Sequence, residues 1–435
     1  MTVATVYLWG TEIGAVSLAG DRGVASFEYD PAFAAAGIEL SPLRMPATPG
    51  RIYRFPELAK TSFDGLPGLV ADSLPDRFGN ALIDAWLAGR GRTPGSFDAV
   101  ERLSYIGLRG MGALEFIPAR GPDPTIDDEL DVAALVDLAG DVLARRADLS
   151  ESLAAPDKQR AMQEILRVGT SAGGARPKAL IAWNPETEEV RSGQIDAPDG
   201  FEFWILKFDG VGDASRDLGH SRGYGAIEWA YSEMARAAGI EMTECRLLEE
   251  DGRRHFMTRR FDRTADGDKL HMQSLAALDH LDFELGEAHS YEQAFGVIRR
   301  LGLSAETAEA QFRRMVFNVV GRNQDDHVKN VSFLMDRSGQ WSLSPAFDVV
   351  YSFNPEGRWT RVHQMSINGK RDNFTVADLD QAASVAGLKR GAGRRILEEV
   401  TAAVERWPEF AATARIPEET VERIAATLRL HLPAG

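Results

Sequence analysis

The chain has 435 residues, 44% hydrophobic and 26% charged, ordinary for a soluble globular protein and long enough for two or three domains. Its 49 basic and 65 acidic side chains give a net charge of -16, which repels nucleic acid as a whole and leaves any such contact to a local basic patch or a partner. One cysteine, Cys245, excludes an internal disulfide framework; with no apolar run of membrane-spanning length and no basic signal-peptide region, the expected location is cytoplasmic.

Residues 1 to about 60 read as β-rich. Val3, Val6 and Leu8 lead to Gly10 and Gly14 and a second strand, Ala15 to Leu18, the pattern of a hairpin; Phe27 and Tyr29 mark a third strand before Asp30-Pro31. The stretch from Phe63 to Gly79, rich in Pro, Gly and Asp, reads as a capped structural turn. After the breaker run 121–124, residues 120 to 160 are acidic and helical in pattern and connect two units. A Gly-containing turn at 171–175 precedes a strand from Ala179 to Trp183, and a polar loop leads to an apolar strand from Phe201 to Phe208. The segment Ala226 to Ala238 reads as a helix with Ala230, Met234 and Ala237 on one face. Beyond about 270 helical patterns dominate. Phe312, Met315, Val316, Val319 and Val320 predict a buried helix over 305–320 that delivers the chain to Asn323, and amphipathic helices near 393–406 and 418–431 close it. The expected architecture is α+β and two-lobed, in kinase order. A β-rich subdomain (1–120) comes first, then a lobe with a nucleotide loop (121–265), then a helical lobe with a catalytic loop (266–435).

The most informative run is N-Q-D-D-H-V-K-N, 323–330. Asp325 and Asn330 stand at the Asp-x4-Asn spacing of a kinase catalytic loop, in which one residue accepts a hydroxyl proton and the other holds magnesium. A hairpin is expected next. Val331, Phe333 and Met335 alternate as in a half-buried strand, Asp336 to Gly339 suits a type I turn, and a return strand through Trp341 and Leu343 brings Pro345 level with Asn330. Asp348 then reaches the same end as Asp325. The competing reading is an Asx turn in which Asp325 and Asp326 only cap backbone amides.

Lys207 sits inside the apolar W-I-L-K-F. Either an anion such as a nucleotide phosphate faces it, or it snorkels from a strand end. The loop S-A-G-G-A-R-P-K (171–178) offers backbone donors and two cations for phosphates but is not a Walker A sequence. His327 is a metal ligand with Asp325 and Asp326 or a structural histidine. Lys329 either neutralises a transferring phosphoryl group or faces solvent. Lys389, Arg390, Arg394 and Arg395 form the best local candidate for a polyanion contact, or else a solvated helix start.

These segments, with R-R-F-D-R (259–263), S-P-A-F-D (344–348) and the N-terminal F-D-G-L-P…D-S-L-P-D-R-F-G, follow one another in an order that resembles the HipA family of serine/threonine kinase toxins. The resemblance implies a bilobal protein-kinase-like fold with an extra N-terminal β subdomain, using ATP and Mg2+. It implies Asp325 as proton acceptor assisted by Lys329, and Asn330 and Asp348 as magnesium ligands. Lys207 would be the nucleotide-phosphate lysine, and the loop Gly173, Gly174, Ala175, Arg176, Pro177 and Lys178 would cover the nucleotide. The backbone of Arg259, Arg260 and Phe261 would border adenine, with His327 and Phe347 nearby, and Ser171 would be the autophosphorylation site. It further implies a HipB-like helix-turn-helix antitoxin that contacts operator DNA, and an aminoacyl-tRNA synthetase, the glutamyl enzyme in particular, as substrate. The alternatives are a metal-dependent hydrolase built on Asp325, Asp326 and His327, and a non-catalytic corepressor scaffold.

Overall fold

The computed structural model describes all residues except 21–22, 94, 122–128, 145–160, 163, 167, 170–175, 195–196, 212–221 and 265. Thirteen strands are named here: β1 (Thr2–Leu8), β2 (Thr11–Leu18), β3 (Ser26–Tyr29), β4 (Ile52–Tyr53), β5 (Leu114–Ile117), β6 (Lys178–Trp183), β7 (Val190–Ser192), β8 (Glu202–Lys207), β9 (Cys245–Glu250), β10 (Arg253–Arg259), β11 (His271–Ser274), β12 (Ser332–Met335) and β13 (Trp341–Leu343). They form three sheets, in the orders β4-β3-β2-β1-β5, β7-β6-β8-β10-β9 and β11-β12-β13.

Trp9 (φ 52°) and Gly10 (φ 79°) turn β1 into β2 as a two-residue loop with both residues left-handed, the geometry that matches strand twist. The return strand therefore starts at Thr11, earlier than Ala15. Ala4, Val6 and Leu8 face the first core, while Val3 points outward. The D-G pair Asp251-Gly252 (φ 47° and 69°) makes the same turn between β9 and β10.

The second sheet separates a packed face from a polar one. Ala179, Ile181, Trp204, Leu206 and Met257 enter a core shared with the helices Arg77–Ala88 and Val132–Ala144. Register places Lys178, Lys207 and Phe256 level with one another on the opposite face. The helix Tyr224–Ala237 packs across β10 on that side. Its first turn has no side-chain cap of its own. Instead the Asp209 carboxylate accepts the Gly223 N–H at 3.0 Å and the Gly225 N–H at 3.3 Å.

The third core is helical and receives Phe312, Met315, Val316, Val319 and Val320 from the helix Ala305–Val320, which Ser304 caps through the Thr307 N–H. Two expectations for this lobe change. β12 is buried at all four positions rather than alternating, because β11 and β13 flank it and Phe333 and Met335 belong to different cores. The last helix runs only over Glu418–Ala425, since the Arg429 N–H bonds to the Val320 carbonyl (3.0 Å) and carries the tail across the buried helix. No helix among the described residues is long and apolar enough to cross a membrane.

Candidate active site

The expected hairpin forms. Phe333 pairs with Leu343 and Met335 with Trp341, the Gly339 N–H bonds to the Asp336 carbonyl at 3.0 Å, and the Ser344 N–H bonds to the Ser332 carbonyl at 2.9 Å. The ladder returns the chain to the end where residues 323–330 lie, and there Asp348 adopts φ 52°. Asn330, Phe347 and Asp348 line one cavity together with Asn323 and Asp326.

Lys207 does not snorkel. Its ammonium is paired with Asp348 of the hairpin exit and with Glu228 of the helix Tyr224–Ala237, so one cation ties the sheet, the helix and the second lobe. Burial alone would lower the Lys207 pKa, but the two carboxylates outweigh it and hold the ammonium above the ordinary lysine value. Burial likewise pushes Asp348 up, yet Lys207 and Lys178 hold its carboxyl well below the usual range, so it is an anion. For Glu228 burial wins over Lys207, and its pKa rises. Lys178, also buried, is lowered by burial against the pull of Asp348. Sequence reasoning missed Glu228; its signal was a lone carboxylate among Ala226, Ile227, Ala230 and Tyr231 on a helix that Lys207 has to face.

Asp325 is partly exposed and its carboxylate makes no hydrogen bond among the described residues, while its carbonyl accepts from the Asn330 side-chain amide at 2.8 Å. Asn330 thus spends its donor within the loop and keeps an oxygen for a cation. Arg176 lies 3.3 Å above the Tyr224 ring, whose hydroxyl donates to the Tyr351 carbonyl at 2.5 Å. Burial raises the Tyr224 hydroxyl, with Arg176 opposing. The Lys329 ammonium sits 4.3 Å from the Phe283 ring centroid. His327 Nδ1 is shielded from solvent and has no hydrogen-bond partner among the described residues, and its ring lies in the field of Asp348. Phe261 and Phe347 stand 5.4 Å apart, centroid to centroid. The Pro177 carbonyl accepts the Phe208 N–H at 3.1 Å and extends the β6–β8 pairing toward the loop.

The Arg260 side chain is taken up by Asp262 (2.7 and 2.9 Å) and the Gly193 carbonyl (2.8 Å), which leaves its backbone, the part expected to border the nucleotide. Arg259 pairs with Glu202 at 3.3 Å. Asp326, read with Asp325 and His327 as a possible metal centre, spends its oxygens on the Tyr291 hydroxyl, His363 and the Gln364 N–H. Arg394 and Arg395 are paired with Asp380 and Glu309, so half of the basic cluster is neutralised. Within the segment read as a turn, Asp76 caps the helix Arg77–Ala88 through the Gly79 N–H (2.6 Å) and lies in the field of Lys178 and Lys329. Ser171, Gly173, Gly174 and Ala175 lie outside the described residues.

A magnesium–nucleotide suits the donor set that remains. Asp348 offers an anionic oxygen, Asn330 an amide oxygen, and Lys207 and Lys178 a cationic wall, while magnesium characteristically needs few protein ligands beside phosphate and water. The fold is a two-lobed, protein-kinase-like α+β architecture preceded by a β-rich subdomain. The chain belongs to the HipA family: the HipA-like C-terminal domain matches residues 170–407, more than half of it, and the HipA N-terminal domain matches residues 4–117. HipA of Shewanella oneidensis MR-1, solved with HipB and its operator DNA, shares the fold at a TM-score of 0.65 and 16% identity, over 97% of this chain and 94% of that one. The Sinorhizobium fredii protein named "Putative kinase Y4dM" is 27% identical over 223 residues, 47% of this chain and 53% of its own length, so the chain matches about half of that relative.

Proposed function

We propose that this protein is an ATP- and Mg2+-dependent serine/threonine kinase acting as the toxin of a toxin–antitoxin pair. The observation that supports the reading best is Lys207 held between Glu228 and Asp348, with Asn330 lining the same cavity as Asp348 and Asp325 tied to Asn330. Asp325 accepts the proton of the attacking hydroxyl. As the new oxygen–phosphorus bond forms to the γ-phosphorus, the bond to the β–γ bridging oxygen breaks and ADP leaves. Lys207 and Lys178 hold the phosphates of the nucleotide, and Lys329 offers positive charge to the moving phosphoryl group. Asn330 and Asp348 would hold a magnesium ion, which when bound would supply charge neutralisation to the phosphates. Phe261 and Phe347 border the base, and Ser171 is the residue modified in self-phosphorylation.

The Shewanella HipA is assembled with HipB and operator DNA, and the net charge of -16 agrees with a partner carrying the DNA contact here as well. The antitoxin is then a HipB-like helix-turn-helix protein, and the substrate an aminoacyl-tRNA synthetase, the glutamyl enzyme by resemblance. The test is transfer of label from γ-labelled ATP, with magnesium, to the chain itself and to lysate proteins. Asp325→Asn is expected to lower transfer about 10²–10⁴-fold, as loss of a general base does. Wild-type protein that labels nothing, itself included, sinks the proposal.

A further inference from the structure

Asp326 adjoins the candidate base and is 2% exposed. Its Oδ2 accepts from the Tyr291 hydroxyl at 2.6 Å and from His363 Nδ1 at 2.8 Å, and its Oδ1 accepts from the Gln364 N–H at 2.8 Å. Burial pushes this carboxyl up, but His363, Tyr291 and Gln364 together hold it below the usual range. His363 Nε2 lies 3.1 Å from an Arg429 guanidinium nitrogen, which can only donate. The ring thus bridges the Asp326 carboxylate, through Nδ1, to the Arg429 guanidinium, through Nε2. Arg429 also pairs with Asp372, and its backbone N–H bonds to the Val320 carbonyl at 3.0 Å.

On the other side the network continues toward the second carboxylate of the site. Asn318 donates to the Tyr291 oxygen at 2.9 Å. Asn323 donates to the Asn318 side-chain oxygen at 3.0 Å and to the Asp348 carbonyl at 3.4 Å. Both ends need such a hold, since Arg322 (φ 58°) and Asp348 (φ 52°) are non-glycine residues held in the left-handed region.

We infer that Asp326 is a positioning residue that sets Asp325 against Asp348. It pins the loop through Tyr291 and His363, and Tyr291, Asn318 and Asn323 carry the constraint to the Asp348 backbone. The geometry stands by itself, but its catalytic consequence rests on the kinase reading above.

The test uses the full chain with Asp326→Asn, Tyr291→Phe and the pair combined; the tyrosine change removes only a hydroxyl and guards against a misfolded aspartate variant. Two readouts are taken: amide hydrogen exchange in residues 323–330 and 346–352, and kcat and KM for ATP. Asp326→Asn is expected to speed exchange in both segments about tenfold or more and to lower kcat about 10–100-fold, with KM within about threefold. Tyr291→Phe is expected to act in the same direction, and the pair to be no worse than Asp326→Asn alone, because the residues form one unit. Exchange unchanged in both segments overturns the inference, as does a KM that rises as much as kcat falls. If wild type transfers no phosphate yet both segments loosen in the variants, the kinase reading fails and the positioning network stands.

Discussion

At Lys207 the ammonium faces Glu228 and Asp348 with little water to share, so the three charges stand or fall together. Replacing Lys207 by Met leaves the buried Glu228 and the partly buried Asp348 without their cation, which costs about 3–5 kcal/mol of stability. On the proposed kinase reading it also removes positive charge from the phosphate side of the site, with an expected loss in kcat of roughly 10²–10³-fold. The two effects separate in the combined variant Lys207→Met/Glu228→Gln. That variant is expected to melt well above Lys207→Met, since one stranded anion is gone, and to stay as inactive. Differential scanning calorimetry together with ATP turnover checks this; recovered activity in the combined variant is the contrary result.

One scale up, Glu228 reaches Lys207 only because the helix Tyr224–Ala237 lies close on β10. Gly225 allows that approach: a Cβ there would stand 2.2 Å from the Arg254 carbonyl oxygen and 3.0 Å from the Phe256 nitrogen. Gly225→Ala should lift the helix, cost roughly 1–3 kcal/mol and lower kcat as Glu228 draws back. Gly296→Ala, in the helix Tyr291–Arg300 with open space around it, should instead stabilise by about 0.5–1 kcal/mol and leave turnover alone. Melting curves and turnover for the two variants check both statements. The same close packing decides what the sequence could reveal. The helix over 305–320 was legible to the residue, because Ser304 caps it and its apolar side has one periodicity. The hairpin after Asn330 was legible because Asp336 and Gly339 dictate a turn. β11 was not legible: H-M-Q-S carries no apolar alternation, and the strand exists because its edge pairs with β12. Glu228 was missed, and Asp326 was read as a cap or a metal ligand rather than as a partner of His363, for a related reason. Their importance lies in partners 21 residues away at Lys207 and 37 away at His363, and no local pattern encodes those distances.

Across the whole molecule, histidines sit where the three cores meet. His255 Nδ1 accepts the Asp209 N–H at 2.9 Å and so braces the residue that caps the helix Tyr224–Ala237. His271 lies in β11, beside Trp341 of a sheet that touches the N-terminal core. His280 accepts the Gly68 N–H at 3.2 Å between Phe55 and Phe63, at the contact of the first subdomain with the helical lobe. Burial pushes all three down to about 4. In the unfolded chain they titrate near 6.5, so between about pH 6.5 and 4 the unfolded state binds protons that the folded state refuses. The stability at stake is fully present above about pH 6.5 and drains as pH falls toward 4. At pH 5 the loss for the two most enclosed rings, His255 and His271, is about 2 kcal/mol each. Glu228 runs the other way, because its raised pKa lets the folded state take up a proton as pH falls through its range. The depressed carboxyls of Asp262 and Asp348 lose their contribution only below about pH 4, the unfolded carboxylate range. Acidification to pH 5 therefore acts first at the junctions. Urea unfolding at pH 7.5 and 5.0 should show a large loss for wild type, and a loss smaller by about 4 kcal/mol for His255→Gln/His271→Leu, which has nothing to protonate at those sites. Equal losses in the two proteins would place the acid sensitivity elsewhere.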